Sequence, residues 1–310
     1  MRNEKEILLQ QNEKVKIKRR LILFSLLITH FSLLIAGCSS APKKPVEIYT
    51  NRIIAANQLN LANQTANQGR YEDALRILEE ARRLAISTDD PPLRIKTSIS
   101  RGSILFSMGL HAEAFREWES AAAEGDSSDQ KIFAALARIY IIRGELVLLS
   151  NESEPGGQAQ RSAAEALKVR LSRELTLVKS DSISSAVGYV ALSMAEKQIG
   201  NWAAAESAAK QALDIHDKNR YLEEAAYDWF LIASIRSVAG NYRSSIDALK
   251  MSISFDRRAE NSFGLASSWQ AMGDVHKKAG QAGESRTAYQ RAADIFRAMG
   301  LEDRAEQLEL

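Results

Sequence analysis

The chain carries one short motif again and again with a fixed period. Gly-x-aromatic-x-x-Ala/Ser occupies residues 69–74, 200–205 and 240–245, and looser copies stand at 109–114 and 280–285. Gly69 and Gly109 stand 40 residues apart, and the same distance separates Gly200 from Gly240 and Gly240 from Gly280. A period of this length predicts a repeat architecture, in which each repeat is one small structural unit packed on its neighbours.

Residues 186–217 show what one repeat contains. Apolar residues recur at helical spacing before Gly200 and again after it, which predicts two helices joined by a tight turn. Gly200-Asn201 favours that turn, because glycine adopts the backbone that ends a helix and asparagine tolerates turns. Ala205 and Ala212 are small enough to let the two helices pack closely.

This pattern resembles the tetratricopeptide repeat (TPR), in which small and aromatic residues alternate where two helices meet. The clearest copy contains Trp269, Gly273, Gly280, Tyr289 and Ala292. The resemblance covers residues 51–299 and implies an all-α fold, a TPR-type right-handed solenoid of antiparallel helix pairs with about six repeats. The repeats are expected near residues 55–88, 95–128, 130–180, 186–219, 226–259 and 266–299, with a capping helix at 300–310.

Two departures from the family pattern change the expected shape. The family repeat has about 34 residues, and we expect the longer period here to lengthen the first helix of each pair and widen the groove. Asp90 followed by two prolines supports this, since it is typical of an N-cap and first helical turn. Between Gly144 and Gly200 we favour a displaced second helix at 162–178 after a polar loop at 150–158. Alternatively, that loop is itself a recognition element.

The N-terminal residues 1–37 are typical of a bacterial lipoprotein signal peptide. A basic segment precedes an apolar run at 21–36, which is too short for a comfortable membrane span and suits a signal-peptide core. The run ends Leu-Ile-Ala-Gly-Cys, which resembles a lipobox, and Cys38 is the only cysteine. The resemblance implies a covalent diacylglycerol and an N-acyl chain on Cys38, with residues 38–50 as tether. An ordinary signal peptide or a short anchor with an unrelated cysteine is the alternative.

The same segment suggests a location. Several acyl chains give stable anchoring, whereas one chain alone is marginal. Ser39 is not the aspartate that retains many such proteins at the inner membrane. By resemblance, we therefore expect the protein on the periplasmic face of the outer membrane.

Charge and motif content argue against several function classes. The chain has a net charge of +2, but residues 1–37 carry seven basic and three acidic residues, so the remainder has −2. A near-neutral domain gives no electrostatic case for nucleic acid binding. The sequence contains no phosphate-binding, dinucleotide-binding or zinc-protease motif, and His111, His216 and His276 are dispersed. We expect no enzyme activity, no metal and no cofactor beyond the lipid.

The concave face of a TPR solenoid is lined by the first helices of the repeats, and ligands usually bind there. Asn60, Asn63 and Asn67 share one face of the first helix, and carboxamides can both donate to and accept from a peptide backbone. A solvated face at the solenoid edge is the alternative. Positions equivalent to groove residues in the family complete the expected partner groove: Phe106, Arg138, Lys197, Tyr227, Phe230 and Lys277.

The resemblance favours a membrane-anchored scaffold or adaptor that binds envelope proteins along this groove, in an assembly or pilotin-like role. The alternative is a ligand-handling component associated with a periplasmic solute-binding protein of a TRAP-type transporter, with a small hydrophobic molecule in a central pore. The sequence leaves the partner and the oligomeric state open.

Replacing Cys38 by Ser tests the lipid anchor. The hydroxyl cannot take the thioether-linked diacylglycerol, so we expect the variant to leave the membrane fraction. Ser39→Ala is the matched control and should remain membrane-bound. Fractionation followed by immunoblotting measures both, and tight membrane association of Cys38→Ser would contradict the lipobox assignment.

Overall fold

The computed structural model describes residues 50–152 and 157–308, and within those ranges it contains thirteen helices and no strand. The expected signal peptide, Cys38 and nearly all of the tether lie outside the described residues. The helices are α1 (Thr50–Asn67), α2 (Tyr71–Ser87), α3 (Pro91–Ser107), α4 (His111–Ser127), α5 (Lys131–Glu152), α6 (Gln158–Val178), α7 (Ser182–Ile199), α8 (Trp202–Lys218), α9 (Leu222–Val238), α10 (Tyr242–Ala259), α11 (Ser262–Lys278), α12 (Ala282–Ala298) and α13 (Glu302–Glu306).

Successive helices pack as six antiparallel pairs, α1–α2 to α11–α12, in an all-α solenoid of the TPR type, as the sequence predicts. Asp90 caps α3 by accepting a hydrogen bond from the Leu93 backbone N at 3.1 Å, which confirms the predicted N-cap. However, α3 and α4 have 17 residues each. From the sequence we expected the longer period to lengthen the first helix of each pair. The equal lengths of α3 and α4 show that it is not confined to that helix.

Two kinds of turn place left-handed backbone at fixed positions. Within pairs a glycine takes positive φ, for example 94° at Gly200 and 80° at Gly240. Between pairs the equivalent conformation, with φ from 45° to 60°, falls on non-glycine residues: Asp89, Asp129, Arg220 and Glu260. A side chain in this region costs roughly 1–2 kcal/mol. Packing between successive pairs, rather than local preference, therefore holds the second kind of turn.

Within the pairs, the helices cross where both facing residues are small. In the last three pairs a buried serine hydroxyl donates across the crossing to a backbone carbonyl at 2.7–2.9 Å: Ser193 to Ala205, Ser245 to Ala233 and Ser285 to Gly273. The corresponding residues of the first two pairs are Ala62 with Ala74 and Gly102 with Ala114. These bonds satisfy hydroxyls that would otherwise be buried without a partner.

Trp118 of α4 anchors the second pair to the third. Its side chain is 2% exposed, and its indole Nε1 donates to the Ile99 carbonyl at 3.1 Å. A Cβ added to Gly102 of α3 would stand 2.6 Å from Trp118 Cδ1, and one added to Gly144 of α5 would stand 2.9 Å from Cζ3. The indole thus occupies space that the two glycines leave free.

The third pair contains the two longest helices. Ile139, Ile142 and Leu146 of α5 pack in one core cluster with Leu167 and Leu171 of α6. The helix that the sequence favoured at 162–178 is therefore part of α6 and serves as the second helix of this pair. Of the polar loop predicted at 150–158, residues 150–152 belong to α5 and Gln158 begins α6, while residues 153–156 lie outside the described ranges.

The first pair lies against the last, so that the solenoid closes into a ring. Helix α1 contacts α11, and the Asn67 side chain at the end of α1 donates a hydrogen bond to Glu223 of α9. The turn at Gly69 faces Met299 and Leu301, whose side-chain carbons lie 3.3 and 3.4 Å from the position of an added Cβ. Instead of the open, wide groove that we expected, the concave face surrounds a central space.

The short helix α13 covers the end of the last pair, where Ala305 is buried in a cluster with Phe296. None of the described helices combines the length and the apolarity that are needed to cross a membrane.

Gly102→Ala should destabilise the fold, because the new methyl group would overlap the Trp118 indole. We expect the free energy of unfolding to fall by about 1–3 kcal/mol, as for other overpacked cores. The measurement is urea unfolding followed by circular dichroism.

Gly283→Ala in α12 is the matched control, since no atom lies within 4 Å of its added Cβ. That variant should be unchanged or stabilised by up to about 1 kcal/mol through helix propensity. Equal effects of the two substitutions would contradict the role assigned to Trp118.

Candidate functional site

The inner face of the ring forms a cavity of about 540 Å³ that is partly open to solvent. Its walls come from the first helices of pairs three to six (α5, α7, α9 and α11), from the C-terminal parts of α8 and α10, and from Asn67 of α1. This volume lies within the range of about 300–1,000 Å³ that is typical of ligand sites.

Three of the walls use the same spacing of side chains. Residues at i, i+4 and i+7 lie on one face of a helix, and they reach the cavity as Leu136, Tyr140 and Arg143 from α5, Ile183, Val187 and Val190 from α7, and Glu223, Tyr227 and Phe230 from α9. The α7 wall is therefore apolar, whereas the walls from α5 and α9 carry aromatic rings and charges.

Aromatic rings hold the one guanidinium group among the cavity residues. The Arg143 guanidinium lies 5.3 Å from the Tyr140 ring centroid and 5.9 Å from that of Tyr227, within the usual range of a cation–π contact. Tyr227 stacks on Phe230 with ring centroids 6.3 Å apart and planes inclined by 19°. Burial raises the pKa of Tyr140 in spite of the nearby Arg143, so its hydroxyl stays protonated.

A buried histidine–aspartate pair lies beside these rings. His216 Nδ1 of α8 is 2.6 Å from Asp228 Oδ2 of α9, and the two residues are 3% and 0% exposed. Burial raises the pKa of Asp228, and the hydrogen bond from His216 opposes that rise. The second carboxylate oxygen, Oδ1, is buried without a hydrogen-bond partner among the described residues.

Asp256 of α10 forms the next polar group along the wall. It accepts hydrogen bonds from Asn261 Nδ2 at 2.8 Å and from Ser268 Oγ at 3.3 Å, and burial raises its pKa to about 6. Asn261 in turn caps α11 by accepting from the Gly264 backbone N at 3.0 Å. A Cβ on Gly264 would overlap both Asn261 and Asp256, so glycine at this position keeps the space that the two side chains fill.

Glu223 lies where α1 meets α9. Burial, together with the neighbouring carboxylates of Glu224 and Asp256, raises its pKa to about 7, and the hydrogen bond from Asn67 opposes that rise. The carboxyl group therefore binds a proton readily close to neutral pH, which is unusual for a glutamic acid.

The repeat register shows that these acidic groups are confined to one side of the ring. Each junction between pairs has two equivalent buried positions, one on the second helix of a pair and one on the first helix of the next pair. At four junctions these positions hold Ala85 with Thr97, Gly125 with Ala137, His216 with Asp228, and Asp256 with Ser268. Ionisable residues replace small neutral ones only at the last two junctions. The sequence motif search missed this signal, which an alignment of the 40-residue repeats on their turn glycines would have shown.

The structure brings three of the groove residues predicted from the sequence to the cavity: Asn67, Tyr227 and Phe230. Asn60 and Asn63 are exposed on α1 away from it, so the predicted asparagine face contributes only its last member. The sequence search did not find the other polar residues of the cavity: Tyr140, Arg143, His216, Glu223, Asp228 and Asp256.

The remaining predicted residues have other surroundings. Phe106 packs inside the second pair, 4.6 Å from the His111 ring and 5.6 Å from that of Trp118 between centroids. Arg138 forms ion pairs with Asp126 of α4 and Glu174 of α6, and thus ties its helix to two second helices. Both are therefore packing residues.

Lys197 and Lys277 do not line the cavity either. Lys197 donates to Ser234 Oγ at 2.7 Å and links α7 to α9, and burial with the nearby Lys278 lowers its pKa. Lys277 is exposed on α11. Cys38 lies outside the described residues.

The cavity residues suit binding by hydrogen bonds, charge and aromatic contact. Among the described residues, no group of three or more His, Cys, Asp or Glu is placed to hold a metal ion. The hydroxyls of Ser252 and Ser268 are directed to Ala226, to each other and to Asp256. Neither of these two hydroxyls is therefore directed to His216, as the serine of a serine-hydrolase triad would be.

No protein-family model matches this chain, and no curated protein sequence matches it. Solved structures are similar in fold. One is a Signal Transduction ATPase with Numerous Domains protein with a tetratricopeptide repeat sensor from Pyrococcus horikoshii, at 15% identity and a TM-score of 0.53. That match covers 86% of this chain and 43% of the other, so the present chain spans less than half of that protein.

A second similar structure is a Rap protein complexed with Competence and Sporulation Factor. The identity is 16% and the TM-score 0.52, and the match covers 83% of this chain and 69% of the Rap chain. At these identities the comparisons establish the TPR-type fold and nothing finer.

Glu223→Gln should change how stability depends on pH. The folded pKa of about 7 lies above the ordinary value of 4.5. The contribution of Glu223 to stability is therefore fully present below pH 4.5 and is lost as the pH rises through 7. Glutamine keeps an acceptor for Asn67 but carries no charge. Its stability relative to the parent should rise between pH 4.5 and 7 and then stay constant.

We expect a gain of roughly 1–2 kcal/mol at pH 8, because one pKa unit corresponds to about 1.4 kcal/mol and solvent screens part of the effect. Urea unfolding at a series of pH values measures it. Asp247→Asn is the control, since Asp247 is exposed and paired with Lys250 on the surface of α10. A gain for Glu223→Gln that is the same at every pH would contradict the burial of this carboxyl.

Proposed function

We propose that this protein is a lipid-anchored scaffold of the bacterial cell envelope that holds a segment of a partner protein inside its repeat ring. The N-terminal lipobox pattern at Cys38 supports the anchoring, at the periplasmic face of the outer membrane. The TPR-type fold supports binding of a protein. The observation that carries the proposal is the cavity of about 540 Å³ on the inner face of the ring, whose lining combines apolar, aromatic and charged residues.

The lining suits a short stretch of polypeptide. The apolar wall of α7 and the stacked Tyr227 and Phe230 can pack against side chains. Asn67, at the rim between α1 and α9, provides a carboxamide that pairs with a peptide group. The Rap structure of the same fold, complexed with Competence and Sporulation Factor, is a precedent for a bound factor in such a solenoid. We assign no catalytic role, and an adaptor in envelope assembly, or a pilotin-like carrier, fits this arrangement.

The size of the cavity favours a second candidate, a component that binds a small solute and works with a periplasmic solute-binding protein of a TRAP-type transporter. The volume would suit such a solute. The four carboxylates of the lining argue against the small hydrophobic molecule that we considered from the sequence, because burying charges against an apolar ligand is costly. The partner-binding function is therefore the better supported of the two.

Site-specific photo-crosslinking tests the proposal. Tyr227→p-benzoylphenylalanine places the probe in the cavity, and Val169→p-benzoylphenylalanine places it on α6, where Val169 is 60% exposed. In growing cells we expect the cavity probe to form one discrete adduct with a polypeptide, and mass spectrometry should assign that adduct to a short segment of the partner.

The same adduct from the probe at Val169, or no polypeptide adduct from Tyr227, would contradict the proposal. Native mass spectrometry of the purified full-length protein covers the second candidate. A stoichiometric small molecule without any polypeptide adduct would favour the solute-binding function instead.

A further inference from the structure

The cavity carries more acidic than basic groups. Glu223, Glu224, Asp228 and Asp256 line it, all from α9 and α10, whereas Arg143 of α5 is the guanidinium of the lining. The arginine is held over the Tyr140 and Tyr227 rings. The acidic residues thus form one side of the cavity, which we call the acidic wall.

The acidic wall has hydrogen-bonding capacity that the described residues do not use. Asp228 is 0% exposed, and its Oδ2 is taken by His216. Its Oδ1 has no partner among the described residues, although Asp228 lines the cavity. A buried carboxylate oxygen is costly when it lacks a donor, so a donor supplied from the cavity side, which Asp228 lines, would stabilise this group.

The groups around each carboxyl show that the described chain supplies little positive charge to this wall. Glu223 faces Glu224 on its own helix, Asp256 of α10 and the neutral Asn67 of α1. The hydrogen-bond donors to Asp256 are neutral side chains, those of Asn261, Ser268 and Ser252.

Asp228 faces His216 of α8, and Arg143 and Glu224 act on it more weakly. Burial raises the pKa values of Glu223 and Asp256, and no cation among the described residues offsets that rise. A positively charged group in the cavity would compensate the negative charge of these carboxylates.

The kind of cation follows from the rest of the lining. The described residues offer no group of carboxylates or histidines placed to coordinate a metal ion. Aromatic side chains, among them Tyr221, Tyr227, Phe230 and Phe263, surround the acidic wall, and ring faces attract organic cations and pack against alkyl stems. An alkylammonium or guanidinium group therefore matches the surroundings better than a metal ion.

We propose that the acidic wall formed by Glu223, Asp228 and Asp256 is a subsite for an organic cation, the ammonium or guanidinium group of the bound ligand. This deepens the proposed function and rests on it in one respect: within a partner segment the cation is a lysine or arginine side chain or a free N-terminus. A free amine has the same chemistry, and the experiment distinguishes these sources.

Three probes of equal length test the charge preference: pentylammonium, 1-pentanol and pentanoate. Isothermal titration calorimetry on the purified full-length chain in non-ionic micelles at pH 8 measures their binding. We expect saturable binding of pentylammonium at millimolar concentration, with a Kd at least about tenfold lower than that of the alcohol. Pentanoate should bind no better than the alcohol.

Nα-acetyl-lysinamide and Nα-acetyl-norleucinamide form the second arm, since they place the cation on a peptide-like unit and remove only the charge. A preference for the lysine derivative over both norleucinamide and pentylammonium identifies a polypeptide source. A preference for the free amine over both amides identifies a small-molecule source. In both cases binding depends on the positive charge.

Glu223→Gln and Asp256→Asn should each raise the Kd of the best cation by about tenfold or more, while Asp247→Asn on the outer surface of α10 should leave it unchanged. For the parent protein, affinity should fall as the pH is lowered from 8 to 5, because the cation stays charged while Glu223 and Asp256 take up protons.

Equal binding of the three pentyl probes, no saturable binding of either cation, or an affinity unaffected by both acidic substitutions would overturn the proposal. Its failure can be told apart from that of the proposed function. A polypeptide adduct at Tyr227 together with charge-independent binding removes only the cation subsite. Cation binding without any polypeptide adduct leaves the subsite and removes the partner protein.

Discussion

The close crossing of two helices within each pair is the constraint on which the rest of the structure depends. Residues at the crossing are small in five pairs, and in three of them a serine hydroxyl bonds the facing carbonyl. Larger side chains there would separate the helices by several ångströms. The crossing recurs after 40 residues within the first two pairs and within the last three, so these pairs are built alike and their first helices are kept on the inner face.

Closure of the ring turns that inner face into a cavity. Two contacts join the first pair to the last part of the solenoid. Asn67 donates a hydrogen bond to Glu223, and the turn at Gly69 lies against Met299 and Leu301. Glu223 is partly buried where α9 meets α1 at this closure, whereas Asp228 and Asp256 are fully buried at the junctions between successive pairs. Burial in these positions is the main cause of the raised pKa of all three groups.

The sequence predicted the fold well, because its signals are local and repeated. The turn glycines, the small residues at the crossings and the helical spacing of apolar residues sufficed for an all-α solenoid. Phe106 shows the limit of this reasoning. Its position in the family pattern predicted a groove residue, but its ring packs against Trp118 within its own pair and does not line the cavity.

The cavity could not be predicted in the same way, because it depends on contacts between residues as far apart as Asn67 and Glu223. Ring closure depends on the small rotation between successive pairs, summed over six of them, and no single motif reports that sum. The His216–Asp228 pair was within reach of the sequence, since both residues stand at register positions that hold small neutral residues in earlier repeats.

Glu223 links the cavity to the closure of the ring. Its carboxyl group lines the cavity and also accepts the hydrogen bond from Asn67 that joins α1 to α9. A carboxylate accepts more strongly than a neutral carboxyl group does. If a cation occupies the acidic wall as proposed, it favours the ionised form of Glu223 and so strengthens the bond to Asn67. A bound ligand of this kind would tighten the ring around itself. It would also remove the free-energy cost of uncompensated acidic groups in the cavity, and that gain contributes to the affinity for the cation.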